Sequence, residues 1–221
     1  MAPVGGKPFL DYLLKWLRFE GVEEVILCVG YKRSHIQRYV GTGEKWGLRV
    51  KYSIEKELLG TGGALRQAVR LISGKTIVVV NGDTFVDLKL SGLLKFHESR
   101  NAAATVTAVK VADNHRYGSL RLDVQHRITA FLEKANRDEC QRPKTGKQVI
   151  NGGVYVFEKE MLTSIRSRRP ISLEREVFPS LITRKNVYGY LTDAYFLDIG
   201  LPEDLGRAGS ELPERFHTRR T

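Results

Sequence analysis

Along the first half of the chain the apolar positions switch between two spacings, and the switching predicts the architecture. Phe9, Leu10, Leu13, Leu14 and Leu17 recur at helical intervals behind the turn Pro3-Val4-Gly5-Gly6-Lys7-Pro8, and Gly21 ends that helix. Glu24-Val25-Ile26-Leu27-Cys28-Val29 reads as a buried strand with Cys28 inside it. A short helix follows over about residues 34–40, with Ser34 as its N-cap. Residues 48–54 alternate like a strand, and 64–72 form a helix with Leu65, Ala68, Val69 and Ile72 on one face. In Thr76-Ile77-Val78-Val79-Val80 there is no polar alternation, so this strand is expected to be covered on both faces, as in a parallel sheet flanked by helices. Residues 90–99 supply the next helix. Helix and strand in alternation call for a doubly wound sheet.

The second half has a different texture. Residues 103–111, 118–123, 128–133 and 153–157 are all strand-like with few helices between them, which predicts antiparallel or mixed additions to the same sheet. A polar loop with Pro and Gly fills 135–147, helices are expected over 159–166 and 173–182, and a strand over 187–191 leads to Tyr195-Phe196-Leu197-Asp198-Ile199-Gly200. Pro202 opens a final helix.

Composition narrows the class. With 221 residues, 42% apolar and 28% charged, the chain is expected to form one globular domain over 1–221. No apolar run approaches the roughly 18 residues that span a bilayer, and no secretory signal is evident, so the cytoplasm is the expected compartment. Neither Cys28 nor Cys140 has metal-ligand spacing, and both are expected as free thiols. A formal net charge of +11 favours anionic partners such as nucleotides and sugar phosphates. Much of that charge lies in 166–169 and 215–220, without a zinc-finger spacing, an RNP-like aromatic motif or a compact basic helix, so no nucleic-acid partner is expected. Apolar faces such as 187–191 suit a core or a homo-oligomer interface equally, and oligomeric state stays open.

Candidate chemistry gathers at strand ends. Asn81-Gly82 is a turn signal that delivers Asp83 just past the 76–80 strand, where open α/β sheets bind their ligands. A carboxylate there suits Mg²⁺ that is also held by substrate phosphates; taken alone, it suits equally a turn Asp bonding its own backbone. Asp198 is a second carboxylate in a similar setting. Gly60-Thr61-Gly62-Gly63-Ala64 enters a helix whose first N–H groups have no partner within it. It is neither a P-loop nor a GxGxxG fingerprint, which favours reading a base edge over cradling phosphates. Asn151-Gly152-Gly153 offers a side-chain amide and open backbone to a polyhydroxylated ligand, or else marks a bulge. Glu133-Lys134 ends a strand with opposite charges on opposite faces.

Taken in order these stretches resemble the sugar-1-phosphate nucleotidyltransferases, and within them the D-glycero-α-D-manno-heptose 1-phosphate and mannose 1-phosphate guanylyltransferases. The likeness is carried by Pro3 to Leu10, Val29-Gly30-Tyr31, Tyr52-Ser53-Ile54-Glu55, Leu59 to Ala64 and Val80-Asn81-Gly82-Asp83. It continues through Arg116-Tyr117-Gly118, Phe131-Leu132-Glu133-Lys134, Ile150-Asn151-Gly152-Gly153 and Phe196 to Gly200. The resemblance implies a Rossmann-like mixed, mostly parallel sheet of the nucleotide-diphospho-sugar transferase type. It implies Mg²⁺-dependent transfer of a nucleoside monophosphate, GMP from GTP, to heptose or mannose 1-phosphate with release of pyrophosphate. On the same resemblance Asp83 and Asp198 hold the metal and Lys7 adds a cation. Glu55, Gly60, Thr61, Gly62, Gly63, Asn81 and Gly82 serve the nucleotide; Tyr117, Gly118, Glu133, Lys134, Asn151 and Gly152 serve the sugar and its phosphate. Base and sugar rest on the likeness alone.

The family resembled also has a strand and a Gly-rich, basic loop ahead of the segment matching Met1-Ala2-Pro3. On that pattern the chain reads as N-terminally truncated, with weakened triphosphate binding expected. A second reading is a catalytically weak or silent sugar-nucleotide binding module.

Overall fold

Gly5 and Gly6, both at positive φ, close a hairpin between β1 (Pro3–Val4) and β2 (Lys7–Pro8) in a turn that few L side chains tolerate. The structure, a computed structural model, describes residues 1–111, 118–132, 148–165, 169–184 and 186–218. The order continues with α1 (Phe9–Phe19), β3 (Glu24–Val29), α2 (Arg33–Val40), β4 (Arg49–Ile54), α3 (Gly60–Ala68), β5 (Thr76–Val80), β6 (Thr84–Val86) and α4 (Leu90–Ser99). Then come β7 (Ala104–Val111), β8 (Ser119–Leu122), β9 (Ile128–Leu132), β10 (Gln148–Glu158) and α5 (Lys159–Thr163). A π-helical turn (Leu173–Val177) runs into α6 (Phe178–Ile182), followed by β11 (Val187–Thr192), β12 (Phe196–Asp198) and α7 (Pro202–Thr218). Contacts divide the chain into two compact units. The first unit is Met1–Glu57, Asn81–Phe85 and Phe196–Thr221; the second is Leu58–Val80 and Val86–Tyr195. Among the described residues no helix is long and apolar enough to cross a membrane.

In the first unit β3 and β4 pair in parallel, and Leu14, Val40, Trp46 and Leu48 form a core cluster with Val25 and Leu27 packed against it. The two-residue period of β3 sends Cys28 to the opposite face. It is exposed there, not buried as expected. Trp16 packs edge-on against Phe85, Phe85 against Phe216, and Phe216 against Tyr12, which ties α1, β6 and α7 together. At the centre is Asp11, fully buried on α1. Its carboxylate meets Lys15 Nζ at 2.6 Å and Lys45 Nζ at 3.3 Å, and accepts from Tyr39 OH at 3.1 Å and Trp46 Nε1 at 3.2 Å. The Lys45 ammonium also lies over the rings of Tyr39 and Trp46. Ser34 does not cap α2: the helix starts at Arg33 behind Lys32 in the left-handed region, which leaves Ser34 inside the first turn.

The second unit is built on a sheet of order β11-β7-β10-β8-β9, with β5 also paired to β10. Among the described residues of this sheet only β7 and β11 run parallel; the other ladders are antiparallel. β5 is therefore not the two-sided parallel strand its composition suggested. It lies antiparallel to β10, with Ile77 and Val79 against the core and its last four residues half-buried. That core gathers Tyr155, Phe157, Leu162, Leu173 and Phe178, with Phe131 stacked on Phe178 at 4.7 Å between centroids. α3 begins at Gly60, before the expected 64, because contacts with residues 171–173 outweigh the poor helix propensity of glycine.

Burial pushes the Asp11 carboxyl up, but Lys15, Tyr39 and Lys45 more than offset it and hold the group below its ordinary value. A carboxyl depressed in this way stabilises the fold above its unfolded pKa, and the stabilisation is lost as pH falls through the folded pKa. Asp11→Ala should cost about 2–3 kcal/mol in denaturant unfolding, since buried Trp46 loses its acceptor. Asp11→Asn should make the loss of stability below about pH 4 shallower than in the wild type. An equally steep acid limb would contradict the assignment.

Candidate functional site

Two acidic residues far apart in the chain, Asp83 and Asp198, have their backbones joined in the first unit by a short ribbon. β6 and β12 pair, and one residue beyond that pairing the Ile199 N–H donates to the Asp83 carbonyl at 2.9 Å. The residue after Asp198 is thus bonded to Asp83 itself. Asp83 is exposed, with its Oδ1 accepting from the Thr84 hydroxyl at 3.2 Å. Asp198 is half-buried, with its Oδ1 accepting from the Gly200 N–H at 2.7 Å. A Cβ on Gly200 would stand 2.9 Å from that oxygen, so glycine lets the backbone close over the carboxylate. Hard oxygen donors in this number suit a divalent cation that completes its shell with water and phosphate. Among the described residues no group of three or more His, Cys, Asp or Glu could hold a metal without such help.

Asn81 and Gly82 lead into Asp83, Asn81 half-buried and Gly82 exposed with no protein atom within 4 Å of where its Cβ would sit. Glu55 follows β4 and donates its N–H to the Val29 carbonyl at 2.8 Å. Lys7 on β2 is exposed.

The second unit holds the glycine loop and Asn151. Gly60 has φ +71°, and a Cβ there would lie 2.5 Å from the Ile171 carbonyl oxygen. The reason is a strap: Ile171 N–H donates to Leu59 O, Gly62 N–H to Ile171 O (both 2.9 Å), and Leu173 N–H to Thr61 Oγ1 (2.8 Å). One of the N–H groups expected to be open at the start of α3, that of Gly62, is therefore occupied by protein. Gly63 is half-buried. Residues 171–174 are the part of the site that sequence reading missed; Ser172-Leu173-Glu174 reads only as a helix start, where Ser172 does cap by accepting from the Arg175 N–H.

Asn151 sits in a bulge. β10 loses register with β7 between Asn151 and Tyr155, with Gly153 at φ +71°. On its other edge β10 meets Ser119 of β8 at Ile150, and β5 from Val154 onward, so the bulge lies where that edge changes partner. The Asn151 amide is fixed from both ends: Oδ1 accepts from the Gly153 N–H at 3.1 Å and Nδ2 donates to Tyr155 OH at 2.8 Å. The Asn151 N–H donates to the Gly118 carbonyl at 3.2 Å, which sets these two candidates side by side, and Gly152 is buried against Thr107 and Val109. Tyr117, Glu133, Lys134 and Cys140, with the loop 135–147, lie outside the described residues.

The pattern of the family described as nucleotidyl transferase matches residues 1–215, across both units. The chain is 37% identical to a mannose-1-phosphate guanylyltransferase of Mycobacterium tuberculosis, covering 96% of this chain and 58% of that protein. It is 36% identical to the D-glycero-alpha-D-manno-heptose 1-phosphate guanylyltransferase of Aneurinibacillus thermoaerophilus, covering 96% and 88%. Among solved structures, HddC from Yersinia pseudotuberculosis complexed with GMP-PN is similar with a TM-score of 0.83 and 31% identity, over 98% of this chain and 88% of that one. The chain thus spans little more than half of the first relative and most of the second.

Two of the candidate glycines, one in each unit, should respond differently to a methyl group. Gly60→Ala meets both positive φ and the Ile171 carbonyl and should cost about 2 kcal/mol or more of folding stability. Gly82→Ala, in open space, should stay within about 0.5 kcal/mol. Urea unfolding of both variants checks this, and equal losses would contradict the strap.

Proposed function

Because this chain belongs to the nucleotidyl transferase family, we propose that it transfers GMP from GTP to a sugar 1-phosphate, heptose or mannose 1-phosphate, and releases pyrophosphate. Relatives named for those two activities, 36–38% identical over most of the chain, support the base and the sugar class. The observation that supports the reading is the Ile199 to Asp83 hydrogen bond, which joins the backbone beside these two acidic residues at the end of a ribbon.

In the reaction a phosphate oxygen of the sugar 1-phosphate forms a bond to the α-phosphorus of GTP, and the bond to the bridging oxygen of the β-phosphate breaks. Both reactants are anions, so catalysis consists of alignment and charge neutralisation, with no covalent intermediate needed. Asp83 and Asp198 would hold Mg²⁺, which when bound offsets charge on the donor phosphates and the departing pyrophosphate. Lys7 adds a positive charge for the phosphates. Glu55, Asn81 and Gly82 serve the nucleotide, and Gly60 to Gly63 the base. Asn151 offers its oriented amide, and Gly118 and Gly152 their backbone, to sugar hydroxyls. Tyr117, Glu133 and Lys134 take their sugar and phosphate roles from the family likeness. An enzyme drawing on nucleoside triphosphates belongs in the cytoplasm.

The chain, Mg²⁺, GTP and either sugar phosphate should together release pyrophosphate and yield a GDP-sugar. Asp83→Ala and Asp198→Ala should each lower the rate by roughly 100-fold or more, on the scale of several kcal/mol of transition-state stabilisation. Absence of pyrophosphate with every pairing of nucleoside triphosphate and sugar 1-phosphate, or full turnover by either variant, would refute the proposal.

A further inference from the structure

Glu174 belongs to none of the motifs that point to chemistry in the sequence, yet it joins hydroxyl groups from three separate segments of the second unit. Its Oε2 accepts from Thr61 Oγ1 at 3.1 Å and from Ser172 Oγ at 2.9 Å. Its Oε1 is an acceptor for the Tyr155 hydroxyl at a long 3.5 Å. That hydroxyl belongs to a fully buried ring and accepts from Asn151 Nδ2, so its own proton points away from Asn151. Thr61 in turn accepts from the Leu173 N–H, which closes the strap over the glycine loop.

We propose that Glu174 is a positioning residue whose single carboxylate sets the glycine loop and the Asn151 amide together. One oxygen fixes Thr61, and with it Gly60 to Gly63; the other orders Tyr155, and through it Asn151. If the transferase reading holds, on which the functional part of this inference rests, the base-reading side and the sugar-reading side are aligned by one group that touches neither substrate. A carboxylate suits the task because it only accepts, and all three hydroxyl partners donate to it. An amide cannot replace it. Gln keeps one oxygen, which best serves the two short bonds from Thr61 and Ser172, and its NH₂ then faces a Tyr155 hydroxyl already accepting from Asn151.

Steady-state kinetics of the full chain with Mg²⁺, GTP and mannose or heptose 1-phosphate test this. Glu174→Gln should raise KM for the sugar phosphate roughly tenfold while KM for GTP stays within about twofold. Tyr155→Phe should do the same, and the double variant should add little further. Thr61→Val should raise KM for GTP alone. In Glu174→Gln, both KM values within twofold, or a lower kcat with KM unchanged, would overturn the coupling and leave Glu174 a merely structural residue. An inactive wild type would sink the transferase reading, and the coupling would then be judged on the ligand-free chain by hydrogen exchange. Glu174→Gln should speed exchange of the Asn151 side-chain NH₂ while the Leu173 and Gly62 amides keep their protection. Unchanged exchange at Asn151 would overturn the coupling.

Discussion

A single backbone hydrogen bond, from Ile199 N–H to the Asp83 carbonyl, is the constraint that joins the chain around Asp83 and Asp198 and on which the proposed chemistry depends. Neither carboxylate has any local reason to be near the other. Asp83 follows a turn at the end of β5, and Asp198 ends a three-residue strand just before the last helix. The ribbon of β6 and β12 joins them, and the packing of Phe85 against Trp16 and Phe216 ties it to α1 and α7. Strands this short carry few ladder bonds, so the aromatic packing does most of the holding. Buried Asp11 then fixes α1 against Tyr39, Lys45 and Trp46. Core electrostatics and the placement of the acidic pair therefore share one helix.

The second unit solves a different problem, that of presenting backbone and amide groups in fixed directions. Glycine at 60 and at 153 gives the chain the conformations it needs, and each is then pinned by a neighbour: Ile171 against Gly60, and the Asn151 side chain on the Gly153 N–H. The bulge in β10 falls where its partner changes from β8 to β5. Asn151 therefore points where it does because the sheet changes edge there, a consequence of topology more than of local sequence.

Much of this was legible in the sequence. Strands and helices with strong periodicity, such as α1, β4 and α4, lie within a residue or two of where their spacing puts them, because burial of one face fixes them. The mixed character of the second half followed from β-branched runs without intervening helices. What was not legible depended on partners distant in the chain. The run Ile77-Val78-Val79-Val80 looks the same whether its neighbour runs parallel or antiparallel, and only β10 decides. Cys28 shares an apolar run with buried residues, but which face the core takes cannot be read from the run itself. Glu174 was invisible for the same reason: an acidic residue in the first turn of a helix is ordinary, and its role comes from Thr61 and Tyr155, remote in the chain. The motifs around Asp83, Asp198, Gly60 and Asn151 stood out because glycine and a lone polar group interrupt apolar strands, which a fold alone rarely requires.

The most direct test of the account is the binding of Mn²⁺, as a paramagnetic stand-in for Mg²⁺, measured by electron paramagnetic resonance in the presence of GTP. One tightly held ion per chain is expected, weakened about tenfold or more by Asp83→Asn and by Asp198→Asn alike. Undiminished Mn²⁺ affinity in either variant would contradict the claim that the two carboxylates share one cation.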